Sequence, residues 1–459
     1  MKKNFFDIGN SKKKIVVVDE ENNEISQYEL NRKTQHISEL FENNSVVIIV
    51  ADNCLDFISC YIAAMNKSNV ITLLLDKTFS TEYIQSLIKI YKPNYIFCPK
   101  TIELSGFKIF KTIKLKGFKI LKTKEKIEKK LNFLNFLLLS TSGSTQSPKF
   151  VRLSKENIFD NTKKIIKSLR IKKNHTTITT MPAGYSYGLS IINTHLKVGA
   201  KILLNNSTVF EREFWKKIRK YRVNSFGGVP EFYDILKKID FRKYLTKDIR
   251  YLTQAGGRLN ESTLNYLGNV SKEKNIKFFV MYGQTEASPR MTCLDWKFFF
   301  KKFNSVGKPL TGYEIKIVKN RKEIKKPLIK GEILFKGNNV SLGYAKNFND
   351  LKKGNTNGRI LYTGDIGFQD KDNFIFLTGR RKRIVKIFGK RFNLDDIERY
   401  TQKEGQDVKC KIVDNKLNLE ISTKNLNEEI VINKISKKFN LNKNFIIISK
   451  KVKTFKSYV

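Results

Sequence analysis

The sequence predicts an α/β protein with a large multi-lobed N-terminal domain, whose mainly parallel sheets are flanked by helices and joined by a small β lobe. A small α+β C-terminal domain follows. Three observations predict this. Short apolar runs alternate with amphipathic segments over the first 130 residues, and the same rhythm resumes after residue 140. Between about 305 and 378 the chain turns to short β pieces and turns. Near 380 a basic stretch, GRRKRIVKIFGKR, opens a tail of α+β texture. Apolar β runs separated by helices bury both faces of a sheet, which is the parallel case. We expect one domain over 1–379, mainly β over 305–379, and a small mobile domain over 380–459.

The elements follow in order. KIVVVD (14–19) reads as a strand and residues 28–44 as a helix with one apolar face. VVIIV (46–50), VITLLL (70–75) and NYIFCP (94–99) are short apolar strands, with helices LDFISCYIAAMNK and STEYIQSLIKIY between them. Residues 107–121 alternate apolar residues with Lys, the pattern of a hairpin exposed on one face. TTITTMP (176–182), AKILLN (200–205), IRYLTQAGG (249–257) and IKFFVMYGQTE (276–286) are further strands, the last two running into polar, Gly-containing ends.

Composition narrows the class. A chain of 459 residues exceeds one ordinary core. Lys and Arg number 88 against 43 acidic residues, a formal charge of +45. The basic residues are spread from Lys2 to Lys456, and no nucleic-acid-binding signature accompanies them, so the charge reads as solvated surface. Five cysteines without a C-x-x-C pair read as reduced, mostly buried thiols of a cytoplasmic protein. Three histidines lack metal-ligand spacing, which argues against a zinc site. The N-terminus has no signal-peptide core, and no apolar run approaches the ~18 residues of a membrane span.

The most informative stretch is STSGSTQSPKFVRLS (140–154), where seven of fifteen residues are Ser or Thr, directly after the apolar run FLNFLLL. A strand end followed by Thr, Ser and Gly frees backbone N–H groups for an anion, hydroxyls add donors, and Lys149 adds a mobile charge. It is not a Walker A loop, because Pro148 precedes Lys149 and Phe150 follows it. Ser154 is placed to cap the next helix. Alone, such a loop reads as well as a plain turn.

Its company decides the matter. Thr141-Ser142-Gly143-Ser144-Thr145-Gln146-Ser147-Pro148-Lys149-Phe150 resembles the phosphate loop of the acyl-adenylate-forming (AMP-binding) superfamily, with Gln146 and Phe150 replacing two glycines. That superfamily holds acyl-CoA synthetases, luciferases and peptide-synthetase adenylation domains. MPAGYSYGLS (181–190) resembles its next block, with Tyr185 where His is usual. QAGG (254–257), MYGQTEAS (281–288), GEILFKGNNVSLGY (331–344), YTGD (362–365) and TGRRKRIVKIFGKRFNLDDIE (378–398) resemble later blocks in the family's order.

The resemblance implies ATP-dependent activation of a carboxylic acid as acyl-AMP with release of pyrophosphate. Acyl transfer to the thiol of CoA or of a phosphopantetheinyl carrier protein would follow. It implies that Thr141, Ser142, Gly143, Ser144, Thr145 and Lys149 cradle the phosphates of ATP. Gly256, Gly257, Tyr282 and Gly283 would meet the adenine. Thr285 and Glu286 would sit at the α-phosphate, with Glu286 a Mg²⁺ ligand, and Asp365 and Arg380 would hold the ribose. The hinge would fall at Lys382, and the loop at Gly389 would face the active site in the second step. Lys456 stands near the place of the family's C-terminal catalytic lysine, with Phe455 where Gly is usual.

The acid is a small-molecule carboxylic acid, and its pocket is expected around Tyr185, Gly188 and Gly228, where the glycines would leave room. Amino-acid-activating relatives often carry an Asp that pairs the α-ammonium group, and here Gly188 stands in its place, which favours an acid without a free α-amino group. Two alternatives stay open: an amino-acid-activating ligase serving a carrier protein, and a catalytically impaired nucleotide-binding homologue. Tyr282 also reads as a core aromatic, and Asp365 with Arg380 as a strand-end ion pair.

Overall fold

The computed structural model describes residues 5–126, 131–141, 149–387, 390–404, 406, 408–413, 416–421, 428–439 and 441–450. The chain divides into two compact units, one of residues 1–314 and 336–361, the other of residues 315–335 and 362–459. The boundary expected from the change of texture lies at 379/380, inside the second of these units.

The first unit contains two large sheets. In one, strands Lys277–Gly283, Tyr251–Gln254, Ser225–Gly228, Thr176–Ile178, Lys201–Leu203 and Ile15–Val18 lie side by side and parallel. Antiparallel strands close both edges, Arg290–Leu294 and Lys308–Pro309 on one side and Glu24–Ser26 on the other. The other sheet centres on parallel strands Leu137–Ser140, Val70–Asp76, Ser45–Ala51 and Tyr95–Pro99. Phe150–Leu153 and Gly343–Ala345 extend it antiparallel at one edge, and the hairpin Phe118–Thr123 with Ile109–Lys114 at the other. Ser45–Ala51 is buried at every position, as a strand covered on both faces must be. The hairpin's outer strand is almost wholly exposed while its inner strand is half-buried, close to the one-sided pattern expected from its Lys alternation.

Local sequence sets the helix ends. Ser154 accepts from the backbone of Asn157, whose side chain bonds back to Ser154, a reciprocal cap that starts the helix Lys155–Leu169. Between the polar loop and this helix lies a strand, Phe150–Leu153, which the sequence reading had merged with its surroundings. Helices Arg212–Lys220, Pro230–Lys238 and Glu261–Glu273 cross between the parallel strands.

The second unit carries a five-stranded sheet ordered Lys322–Glu323, Glu314–Lys319, Gly331–Lys336, Ile360–Gln369, Ile375–Arg380. Then come the hairpin Ile384–Ile387 with Lys390–Asn393, the helices Leu394–Lys403 and Glu428–Phe439, and a three-stranded sheet. Phe392, Ile397, Leu417, Leu419, Val431 and Ile435 form its core. All five cysteines are free and four are buried, as expected. Among the described residues no helix is long and apolar enough to cross a membrane, and no His, Cys, Asp and Glu cluster is arranged to hold a metal ion.

Candidate active site

Lys149 precedes the strand Phe150–Leu153, which lies between Leu137–Ser140 and the edge strand Gly343–Ala345, with Tyr344 opposite Val151. That pairing brings the Lys149 ammonium 3.6 Å from the centre of the Tyr344 ring, a cation–π contact. Tyr344 Oη donates to Glu286 Oε1 at 2.8 Å. One tyrosine thus bridges the basic residue of the polar loop and the acidic residue of the QTEAS turn. Burial, and then the Glu286 carboxylate, push the Tyr344 phenol far above its ordinary range, so it stays a donor. Sequence reasoning matched Tyr344 to a motif without giving it a role. Its register opposite the loop strand is a pairing across almost 200 positions, which no local signal carries.

The buried Arg152 fixes that register. Its guanidinium donates to the carbonyls of Tyr344, Lys353, Gly354 and Leu342 and to Asn135 Oδ1, at 2.7–3.1 Å. Gly343, at φ +115°, lies where a Cβ would strike Thr356 Oγ1 and Arg152 Nη2. The Tyr344 segment is therefore tied to the strand that carries Lys149.

Glu286 presents its other oxygen without a hydrogen bond among the described residues. One held oxygen and one open oxygen suit a hard cation that completes its shell with phosphate oxygens and water. Thr285 is buried, and its hydroxyl donates to Ser186 Oγ at 3.1 Å, at the start of the helix Ser186–Val198. Tyr282 is buried on the strand Lys277–Gly283. At Gly283 a Cβ would lie 1.9 Å from the Pro289 carbonyl, so only glycine lets Arg290–Leu294 approach there. Gly256 turns at φ +88°, and Gly257 follows it against Pro230.

The glycines expected to open the acid pocket do not leave it empty. A Cβ at Gly188 would sit 2.2 Å from the Pro182 carbonyl, so this glycine serves close packing. A Cβ at Gly228 would meet the Phe232 ring at 2.3 Å, one at Gly227 the Tyr187 hydroxyl at 2.5 Å, and one at Gly256 the Tyr185 hydroxyl at 2.8 Å. Tyr185, Tyr187 and Phe232 fill the space that the glycines free. A narrow cavity remains between the helix Ser186–Val198 and the strands Ser225–Gly228, Tyr251–Gln254 and Lys277–Gly283, lined among others by Tyr187, Ser190, Gly227, Thr253, Met281 and Arg290.

In the second unit, Asp365 and Arg380 face each other across paired strands, with Arg380 Nε 3.1 Å from Asp365 Oδ1. Asp365 is buried and Arg380 is exposed. Thr363 Oγ1 accepts from the Asp365 backbone and donates to the Ile333 carbonyl, and Glu332 accepts from Gly364 and from Arg381. This holds the turn that presents Asp365. Asp395 and Glu398 pair with Arg383, anchoring the hairpin's approach to the helix Leu394–Lys403. Ser142, Gly143, Ser144, Thr145, Gly389 and Lys456 lie outside the described residues. Thr141 lies within them, at the end of the strand Leu137–Ser140.

Comparison with known proteins adds a family. A family model described as AMP-binding enzyme matches residues 7–345. The oxalate–CoA ligase of Saccharomyces cerevisiae is 29% identical over 260 residues, which are 56% of this chain and 47% of that protein. The 2-succinylbenzoate–CoA ligase of Bacillus cereus is 28% identical over 250 residues, 54% of this chain and 50% of its own length. The chain thus spans about half the length of the curated relatives it matches. Among solved structures, an o-succinylbenzoate CoA synthetase from Bacillus subtilis, in complex with its acyl-adenylate intermediate, superposes with a TM-score of 0.76, at 18% identity over 96% of this chain and 92% of that one. That likeness is one of fold. With the family model covering most of its length, the chain belongs to the AMP-binding enzymes of the acyl-adenylate-forming superfamily.

Proposed function

We propose that this protein is an acid–thiol ligase of the AMP-forming type, which activates a small-molecule carboxylic acid with ATP and passes the acyl group to the thiol of CoA or of a carrier protein. The observation that carries this is the line Lys149–Tyr344–Glu286, a cation and a carboxylate spaced by one phenol, with Glu286 just beyond the carboxyl end of the parallel strand Lys277–Gly283. In open α/β sheets that end is where ligands bind. The relatives' names, all CoA ligases, support the reading.

A carboxylate is a poor electrophile. One of its oxygens attacks the α-phosphorus of ATP, the bond from that phosphorus to the bridging oxygen breaks, and pyrophosphate leaves with the electron pair. The protein supplies position and charge rather than a covalent nucleophile. Lys149 relieves the crowded negative charge of the phosphates, and Tyr344 keeps it aligned. Glu286 would hold Mg²⁺, which when bound would offset the negative charge of the phosphates. Thr285 would bond the α-phosphate. Tyr282, Gly256, Gly257 and Gly283 would bound the adenine, Asp365 would accept from the ribose hydroxyls with Arg380 beside it, and Thr141 with Ser142, Gly143, Ser144 and Thr145 would receive the pyrophosphate. Lys456 would grip the acid carboxylate. In the second step the thiol sulfur attacks the acyl carbon and AMP leaves, after residues 380–459 turn about a hinge at Lys382.

The test is acid-dependent exchange of labelled pyrophosphate into ATP over fatty, aryl, hydroxy, dicarboxylic and amino acids, with Mg²⁺. The expected result is exchange with one class and a loss of about 10²–10³-fold in Lys149→Ala. Full exchange by Lys149→Ala would refute the role of the loop lysine. CoA and a phosphopantetheinylated carrier, added separately, identify the acceptor by thioester formation.

A further inference from the structure

Arg290 is 2% exposed, yet no carboxylate among the described residues pairs with it. Its Nε is buried without an acceptor. Among the described residues its guanidinium makes one hydrogen bond, a long one, Nη2 to Ser190 Oγ at 3.5 Å. Its guanidinium carbon lies over the Tyr187 ring, 4.8 Å from its centre. Burial draws its affinity for a proton below the usual arginine range. A buried cation left this poor in partners is costly.

It faces the narrow cavity described above. Two more polar atoms at that cavity, His195 Nε2 and Tyr251 Oη, are buried without a hydrogen bond of good geometry among the described residues, although the Ser225 side chain lies close to Tyr251 Oη. His195 Nδ1 is 2.8 Å from the Ile191 carbonyl, so it carries the hydrogen and Nε2 is an acceptor. The cavity therefore presents a cation, a hydroxyl and an acceptor nitrogen. Arg290 stands opposite Gly283 in the antiparallel pair, beside the turn that carries Thr285 and Glu286. The space has room for about one or two waters. That is the size of a carboxylate head, not of an alkyl chain. Tyr185 and Phe232 pack against Gly256 and Gly228, and Tyr187 lines the cavity.

We infer that Arg290 is a specificity residue that pairs with a second anionic group on the acid, so that the substrate is a compact acid carrying two negative charges. This rests on the acid-activating reading above. The guanidinium fork matches a planar carboxylate in two parallel hydrogen bonds. The first carboxylate would go to the adenylation chemistry and the second to Arg290, with Tyr251 Oη free to donate and His195 Nε2 free to accept from a hydroxyl or water.

The experiment compares malonate, succinate, glutarate and phthalate with their monomethyl esters and with butyrate and benzoate. Wild type, Arg290→Met and Arg290→Lys are each assayed by pyrophosphate exchange and by thermal shift with each acid alone. In wild type at least one diacid should exceed its half-ester about 100-fold in kcat/KM, and Arg290→Met should lose that factor on the diacid while keeping its rate on the half-ester. Arg290→Lys should restore part of it. The same diacid should raise the wild-type Tm and leave that of Arg290→Met unchanged. Equal use of diacid and half-ester by wild type, or an equal loss on every acid in a folded Arg290→Met, would overturn the assignment and leave the acid-activating reading intact. Exchange with no acid, together with a diacid thermal shift that depends on Arg290, would uphold the anion site and overturn the acid-activating reading. Absence of both overturns the two together.

Discussion

Arg152 and Arg290 are both buried arginines with no bonded carboxylate among the described residues, and they differ in how their donors are used. Arg152 spends its donors on five oxygen acceptors at 2.7–3.1 Å. Arg290 has a ring face, one contact at 3.5 Å and an orphaned Nε. The first region is complete without a ligand, and it fixes the Tyr344 segment against the strand of Lys149. Around the second, Arg290 Nε and His195 Nε2 have no hydrogen-bond partner among the described residues. A satisfied buried charge belongs to the fold, and an unsatisfied one belongs to whatever arrives.

The sharpest way to break this comparison is Arg152→Met. It strips a donor from four carbonyls and from Asn135 in a closed interior, and we expect a loss of about 3–5 kcal/mol of stability by urea unfolding. A loss under about 1 kcal/mol would place Arg152 in the same class as Arg290. Acid comes next. Burial holds the His195 imidazole down to about 4, against 6.5 for a free side chain. Between those values the unfolded chain takes up a proton that the native state refuses. Stability should therefore fall as pH drops from 6.5 towards 4, by up to about 3 kcal/mol for this one group. His175 is held down to about 4 in the same way. His195→Gln should flatten the acid limb by roughly half, and an unchanged limb would contradict the neutral, cavity-facing His195.

Tyr344→Phe keeps the ring under Lys149 and removes the hydrogen bond to Glu286. A loss near 10-fold in kcat, with little change in the KM for ATP, is the expected signature of a positioning residue, equivalent to about 1.4 kcal/mol. The smallest effect should be the stability of Arg290→Met. Replacing an underpaired buried cation by an apolar side chain of similar length should change stability by less than about 1 kcal/mol, or raise it. A collapse comparable to that of Arg152→Met would make Arg290 part of the fold.

Much of this was legible in the sequence. Ser45–Ala51 and Val70–Asp76 announced themselves as unbroken apolar runs, because a strand buried on both faces has no polar alternation to confuse it. Ser154 marked a helix start. The motif order carried the family. What stayed hidden depends on contacts between distant segments. Arg212–Lys220 keeps Phe214, Trp215 and Ile218 on its buried face within an otherwise charged stretch, a helical spacing that could have been read. Gly188 and Gly228 read as room, yet Pro182 and Phe232 occupy it. Arg290 gave no signal, since an arginine among 88 basic residues is distinguished only by what surrounds it.

The most direct test of the central claim is to look for the adenylate. The full-length protein is incubated with ATP, Mg²⁺ and each acid of the panel without a thiol, quenched, and its nucleotides identified by mass spectrometry. The expected product is AMP joined to one acid through a mixed anhydride, with pyrophosphate in equal amount. Formation of ADP and phosphate instead, or ATP consumption that ignores every acid, would contradict it.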